Sequence, residues 1–241
     1  MKKAEITELS NLDYPCTEAL NTLCTNLSFS GSGVKSVMLT SCRAGEGKSF
    51  LALNLMRALA GLGKSVVLVD TDMRRSMLIS RYGIRTENKP KGLAQYLAGQ
   101  CESDDIIYPT NIPNASLVFH GHEVANTLAL LNTPRLPALI KDLERRFDLV
   151  LFDAPPIGMI IDSAEIAKYM DGTVFVVTNN TVGRRELLDA KNQITKTGCP
   201  ILGAVLNKVT FDTQSAKKHY YRTFYNHYSS GYYDKKPAAN E

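Results

Sequence analysis

Hydrophobic and polar positions follow two rhythms along this chain. Uninterrupted apolar, β-prone runs occupy 36–41, 64–70, 147–153, 173–178 and 201–207, with a shorter one at 116–119. Such runs suit strands buried on both faces. Between them apolar residues recur at three- and four-residue spacing, as helices require. Leu20, Leu23 and Leu27 mark a helix over 17–29, and Leu51, Leu55, Ala58, Leu59 and Leu62 mark another over 50–62, ended by Gly61 and Gly63. Helices are also predicted over 134–146 and 184–197, and a short one over 92–99. Residues 1–15 are polar with few apolar anchors and predict a loosely held arm; the pattern is weak from 74 to 114. Strands alternating with helices imply an α/β fold, a mostly parallel central sheet with helices on both faces and right-handed crossovers. Ligands of such sheets sit at the carboxyl ends of the strands.

The chemistry-bearing residues fall at those ends. The strand at 36–41 runs into Cys42-Arg43-Ala44-Gly45-Glu46-Gly47-Lys48-Ser49 and then a helix. Strand, glycine-bearing loop and helix in that order form a phosphate cradle. Glycines admit close approach of backbone N–H groups, and the helix N-terminus favours negative charge. Lys48 is placed to reach β/γ-phosphates and the Ser49 hydroxyl to ligate Mg²⁺. The pattern departs from G-x-x-x-x-G-K-[ST] at its first position, which is Cys42. Asp70 and Asp72 close the second strand and Asp153 closes the strand before Ala154-Pro155-Pro156. Together these carboxylates form a candidate Mg²⁺ shell, direct or through water. The fold class that follows is an α/β P-loop NTPase.

Composition narrows the partners. With 241 residues and a net charge of +4 from scattered Lys and Arg, nothing marks a nucleic-acid surface. No apolar run reaches the roughly 18 residues of a membrane span and no signal-peptide core is evident, so membrane association is expected through a partner. The five cysteines are odd in number and form no C-x-x-C pair, which favours reduced thiols in a cytoplasm. His120 and His122 flank a glycine without a third ligand nearby and read as loop residues. Tyr220, Tyr221, Tyr225, Tyr228, Tyr232 and Tyr233 make six of the eleven tyrosines and crowd one aliphatic-poor stretch. That stretch reads as an aromatic interaction segment, a final strand, or a tail of phosphate acceptors.

Taken together, these motifs resemble the bacterial tyrosine kinases (BY-kinases) of the capsular and exopolysaccharide type, over roughly 18–233. Thr40-Ser41 with Gly45-Glu46-Gly47-Lys48-Ser49 is similar to the family's Walker A motif, Val67 through Arg74 to its second Walker motif, and Phe147 through Pro156 to Walker B. The resemblance implies a kinase domain over 16–215 and a tyrosine-rich tail over 216–241. It implies ATP and Mg²⁺ as cofactors and autophosphorylation of the six tail tyrosines. Ala44, Gly45, Glu46, Gly47, Lys48, Ser49 and Phe50 would bind the phosphates, and Asn207 the base. Ser49, Asp70 and Asp153 would hold the metal, with Asp72 orienting or deprotonating the attacking phenol. The implied partners are a transmembrane adaptor, neighbouring copies of the chain and a tyrosine phosphatase, at a cytoplasmic site peripheral to the membrane.

The chain departs from the family at its first helix, where Asn21 and Cys24 stand at arginine positions of a Glu-x-x-Arg-x-x-Arg-x-Asn pattern that builds the family's oligomer; only weak self-association is expected. Ala44 replaces a proline usual before Gly45. The rival reading is a partitioning-type switch ATPase without a protein acceptor, which Arg43, at the position of that group's lysine, favours.

Overall fold

Val66-Val67-Leu68-Val69 is wholly buried, and its alternate side chains enter two different cores. Val67 and Val69 join Met38, Val118, Val150, Phe152 and Phe175 on one face of a sheet. Val66 and Leu68 join Val37, Leu39, Leu117, Leu151 and Val174 on the other. The two-residue period of a strand sends neighbours to opposite faces, so a continuous apolar run can be satisfied only with cover on both. The structure, a computed structural model, describes residues 3–9, 11–31 and 33–209. The chain divides into units Met1–Asn207 and Lys208–Glu241. The six candidate tail tyrosines lie outside the described residues.

The strands are β1 (Ser36–Ser41), β2 (Val66–Asp70), β3 (Ile107–Pro109), β4 (Ala115–Val118), β5 (Leu149–Asp153), β6 (Gly172–Thr178) and β7 (Ile201–Asn207). They form one sheet in the order β3-β4-β2-β5-β1-β6-β7, parallel except for β3 on β4. Helices α1 (Tyr14–Phe29) and α2 (Lys48–Gly61) cover one face, burying Leu20, Cys24 and Leu27 of α1 and Leu51, Leu53 and Leu55 of α2. The opposite face takes α4 (Leu93–Leu97), α6 (Arg135–Arg146), α7 (Asp162–Ala167) and α8 (Arg184–Thr195). Leu136, Leu139, Ile140 and Leu143 supply the buried stripe of α6 at helical spacing. Short helices α3 (Leu78–Arg81) and α5 (Thr127–Leu131) lie in connections that carry no helical period in the sequence.

Residues 3–9 depart from the expected loose arm. Ala4 and Ile6 are buried, and the backbone is pinned by Ala4 N to Pro109 O (2.9 Å) and by reciprocal bonds of 2.8 Å between Glu5 and Arg85. Asn111 clamps Ile6 from both sides, its Oδ1 accepting from Ile6 N at 2.9 Å and its Nδ2 donating to Ile6 O at 3.1 Å. Two apolar residues with sockets outweigh the polar residues around them. The first helix also begins earlier than expected, at Tyr14, because Asp13 Oδ1 caps Cys16 N at 3.0 Å. Cys24 faces the core rather than the surface, so one of the two departures from the family's oligomer helix is an interior position here. Asn21 remains on the outside and donates to Glu18 of its own helix at 3.3 Å.

Candidate active site

The sheet order brings three chemistry-bearing strand ends side by side. β5 pairs with β1 on one edge and with β2 on the other, and Asp70 stands in register with Asp153. The loop after β1 therefore opens directly beside the two aspartates.

Gly47, at φ +93°, turns the loop into α2 and serves as its N-cap without a side-chain bond; no acidic residue occupies the first turn. The leading N–H groups of α2 thus lack a carboxylate of their own, the arrangement that receives an anion. Any other residue at Gly47 would be strained by this left-handed φ, and its Cβ would displace the Asn207 amide. Asn207, at the end of β7, donates its Nδ2 to Glu46 O at 2.8 Å and so braces the loop from the β7 side. Glu46 is buried with its carboxylate committed to the protein: Oε2 accepts from Arg43 N at 2.7 Å and Oε1 from Thr178 N at 3.0 Å. Its part at a nucleotide is left to the backbone. Ala44 and Gly45 are exposed at the loop's crest. The half-buried Phe50 lines a cleft with Glu8, Leu9, Arg81 and Tyr82.

Burial pulls the Lys48 ammonium below its ordinary pKa, while the charges of Asp153, Asp72 and Glu46 push it back up. Asp153 is shifted the other way, up to about 7, by burial first and by the Asp70 charge next, with a Ser49 hydrogen bond opposing. Its Oδ1 is buried without a hydrogen-bond partner. An orphaned carboxylate oxygen next to a hydroxyl at the mouth of a phosphate loop fits a Mg²⁺ ion or its water shell. Among the described residues no three His, Cys, Asp or Glu side chains converge as a cage. A Mg²⁺ bound here would draw on Ser49, Asp153, Asp70, phosphate oxygens and water, the usual economy of protein ligands for this ion.

Asp72 is held by its backbone surroundings. Its Oδ1 accepts from Arg74 N at 3.3 Å and Arg75 N at 3.0 Å, which fixes the carboxylate at the turn after β2. Arg74 anchors that turn: its Nε and Nη2 reach Asp162 at 2.9 and 3.1 Å, and Nη2 reaches Thr127 Oγ1 at 2.6 Å. Asp162 and Thr127 are fully buried, so a paired charge network ties the first residues of α5 and α7 to the turn after β2. Neither residue carried a sequence signal.

His120, which the sequence marks only as a loop residue, lies at the site. Its ring Nδ1 lies 3.1 Å from Asp70 Oδ2. Burial lowers the imidazole pKa and the hydrogen bond and charge of Asp70 more than restore it, leaving it above the ordinary value. The only clue was its place at the carboxyl end of β4, next to β2.

Fold and loop define a P-loop nucleotide-binding protein. A family profile described as "AAA domain" matches residues 34–196. Over 192 residues the chain is 36% identical to the tyrosine-protein kinase CpsD of Streptococcus agalactiae, covering 80% of this chain and 83% of that protein. The crystal structure of the chimerical protein CapA2B2 superposes with a TM-score of 0.77 at 27% identity, over 86% of this chain and 94% of that one. The septum site-determining protein MinD of Pyrococcus horikoshii OT3, complexed with Mg-ADP, shares the fold with a TM-score of 0.62 at 22% identity, over 77% of this chain and 76% of that one. The chain belongs to the bacterial tyrosine-protein kinase (BY-kinase) family.

Proposed function

We propose that the chain is an ATP-dependent protein-tyrosine autokinase that phosphorylates its own tyrosine cluster (Tyr220, Tyr221, Tyr225, Tyr228, Tyr232, Tyr233) and thereby regulates capsular or exopolysaccharide synthesis. The observation that carries this reading is Asp72, fixed by two backbone N–H bonds at the mouth of the phosphate loop, beside Asp70 and Asp153. Its Oδ2 is left to accept a proton from, or to orient, a phenol. A phenol oxygen attacks the γ-phosphorus, the bond to the β–γ bridging oxygen breaks, ADP leaves, and the phenolic proton passes toward Asp72. Lys48 and the N-terminus of α2 neutralise the phosphates; Ser49, Asp70 and Asp153 would hold Mg²⁺, which would supply further charge neutralisation. An unperturbed phenol has a pKa of about 10, so positioning and charge carry most of the acceleration.

In this reading residues 16–215 are the kinase domain and 216–241 the acceptor tail. The protein works in the cytoplasm at a membrane adaptor, associates weakly with its own copies and is reset by a tyrosine phosphatase. Among the described residues no helix is long and apolar enough to cross a membrane. The switch-ATPase alternative leans on Arg43, but that guanidinium is held within its own chain by Glu186 at 2.7 and 2.6 Å and by Thr181 O at 3.2 Å. Incubation with Mg-ATP followed by mass spectrometry of the tail decides between the two. Phosphotyrosine in the wild type and none in Asp72→Asn is expected; ATP hydrolysis with an unmodified tail would establish the alternative.

A further inference from the structure

The two metal-facing aspartates are in register on neighbouring strands, yet their surroundings differ sharply. Asp153 Oδ1 is buried with no hydrogen-bond partner. Asp70, by contrast, is nearly saturated. Its Oδ2 accepts from the Ser76 hydroxyl and stands 3.1 Å from His120 Nδ1, and its Oδ1 accepts from Asp72 N at 3.2 Å. An ionised carboxylate offers about four lone-pair sites. Three are filled by protein donors, which leaves one, on Oδ1.

Both donors on Oδ2 are themselves fixed. Ser76 Oγ accepts from Leu78 N at 3.2 Å, so its own hydrogen is free to point at Asp70. A carboxylate oxygen only accepts, so His120 Nδ1 carries the hydrogen between them. The His120 carbonyl receives Ala94 N of α4 at 2.9 Å. The adjoining Gly92 lies so close to this turn that a Cβ there would meet Phe119 O at 2.3 Å and Gly121 N at 2.4 Å. The backbone that carries the imidazole is therefore fixed by its bond to α4 and by the close approach of Gly92, and the Ser76 hydroxyl by its bond to Leu78 N at the start of α3.

We propose that His120 and Ser76 are positioning residues: a two-donor clamp that fixes the rotation of the Asp70 carboxylate and directs its one open lone pair into the Mg²⁺ shell. The proposal rests on Asp70 belonging to that shell, as the functional reading has it. Without the clamp Asp70 turns about its χ2 and the shell loses an oriented acceptor, while the phosphate loop, which neither residue touches, is unchanged. Partners that orient a metal's ligands cost roughly 10–100-fold in metal affinity or activity when removed.

The test is the Mg²⁺ dependence of ADP binding, followed by fluorescence of a labelled nucleotide, in the full chain. His120→Ala and Ser76→Ala are each expected to raise the half-saturating Mg²⁺ concentration by about 10-fold or more, with ADP affinity in EDTA unchanged. His120→Asn, whose Nδ2 sits where Nδ1 was, restores most of the loss, whereas His120→Gln, whose amide lies further out, does not. If the alanine variants fold poorly, the Asn and Gln pair carries the comparison. In turnover the same variants lower kcat with little change in the KM for ATP. An unchanged Mg²⁺ dependence in His120→Ala, or equal behaviour of the Asn and Gln variants, overturns the clamp. The binding readout needs no phosphotyrosine, so a wild type that fails to phosphorylate its tail defeats the kinase reading and leaves this test standing.

Discussion

The buried carboxylate of Asp153 lowers the stability of the ligand-free protein as pH rises. Its carboxyl pKa is raised from 3.8 to about 7, by burial and by the facing Asp70. The folded state therefore binds this proton more tightly than the unfolded chain. The resulting stabilisation is complete below the unfolded pKa and is lost as pH rises through the folded one. At 1.36 kcal/mol per pH unit between 3.8 and about 7, the penalty above pH 7 has an upper limit of about 4 kcal/mol. Asp153→Asn removes the charge, keeps the shape and retains a neutral bond to Ser49 worth about 1 kcal/mol less. A net gain of about 2–3 kcal/mol is expected at pH 8, on the order of 5–10 °C in Tm for a domain this size. The assay is thermal unfolding in EDTA without nucleotide, at pH 5 and pH 8. The variant should be clearly more stable at pH 8 and nearly equal to wild type at pH 5. Added Mg-ADP should stabilise only the wild type and narrow or reverse the difference. A variant less stable than wild type at pH 8, or a difference independent of pH, would refute the desolvation argument.

Other perturbations address different parts of the molecule. Lys48→Met should abolish nucleotide binding in equilibrium titration, whereas Asp72→Asn should keep most of the affinity. Ile6→Ala should lower unfolding free energy by about 2–4 kcal/mol in denaturant titration, because Ile6 fills a core socket; a change below about 0.5 kcal/mol, typical of surface sites, would return the segment to the status of a loose arm. Light scattering of the unphosphorylated protein with Mg-ADP should find monomer or weak association at micromolar concentration. Asn21 offers a neutral amide already engaged with Glu18, where an arginine would clamp a neighbour.

What the sequence revealed and what it hid divide along a physical line. Buried parallel strands announce themselves, because both faces must be apolar; β1, β2, β5 and β6 were therefore readable within a few residues. The phosphate loop was readable because its function demands particular residues at fixed spacing along one segment. The short pieces α3, α5, α7 and β3 were not. The five residues of α5 hold their place through Thr127, and the six of α7 through Asp162, both meeting Arg74 from 53 and 88 positions away. No local period records such a bond. His120 was hidden for the same reason: 50 positions separate it from Asp70, and only the strand order β4-β2 makes them neighbours. The arm was misjudged because two apolar residues are too few to show a period yet enough to fill two sockets.

The charges at the mouth of the loop bear on the cation of the proposed function. Asp70, Asp72 and Asp153 meet there, while the nearby cations are largely committed: Arg43 to Glu186 and Arg74 to Asp162. Lys48 stands among these carboxylates, its burial disfavouring its charge and its proton secured by Asp153, Asp72 and Glu46. A nucleotide arriving without metal brings further negative charge against three carboxylates and one lysine, in a partly desolvated cleft where repulsion is weakly screened. The backbone N–H groups at the head of α2 offset only part of this. Removing the carboxylates would relieve the repulsion, but it would also discard the acceptors to which the proposed function assigns the metal and the phenol. Under the proposed function Asp153, whose Oδ1 is buried without a partner, would help hold a divalent cation, which would supply the missing positive charge. Affinity for nucleotide in EDTA should therefore be poor in the wild type and better in Asp153→Asn. The reverse order would mean that Lys48 and the helix terminus outweigh the carboxylates without help.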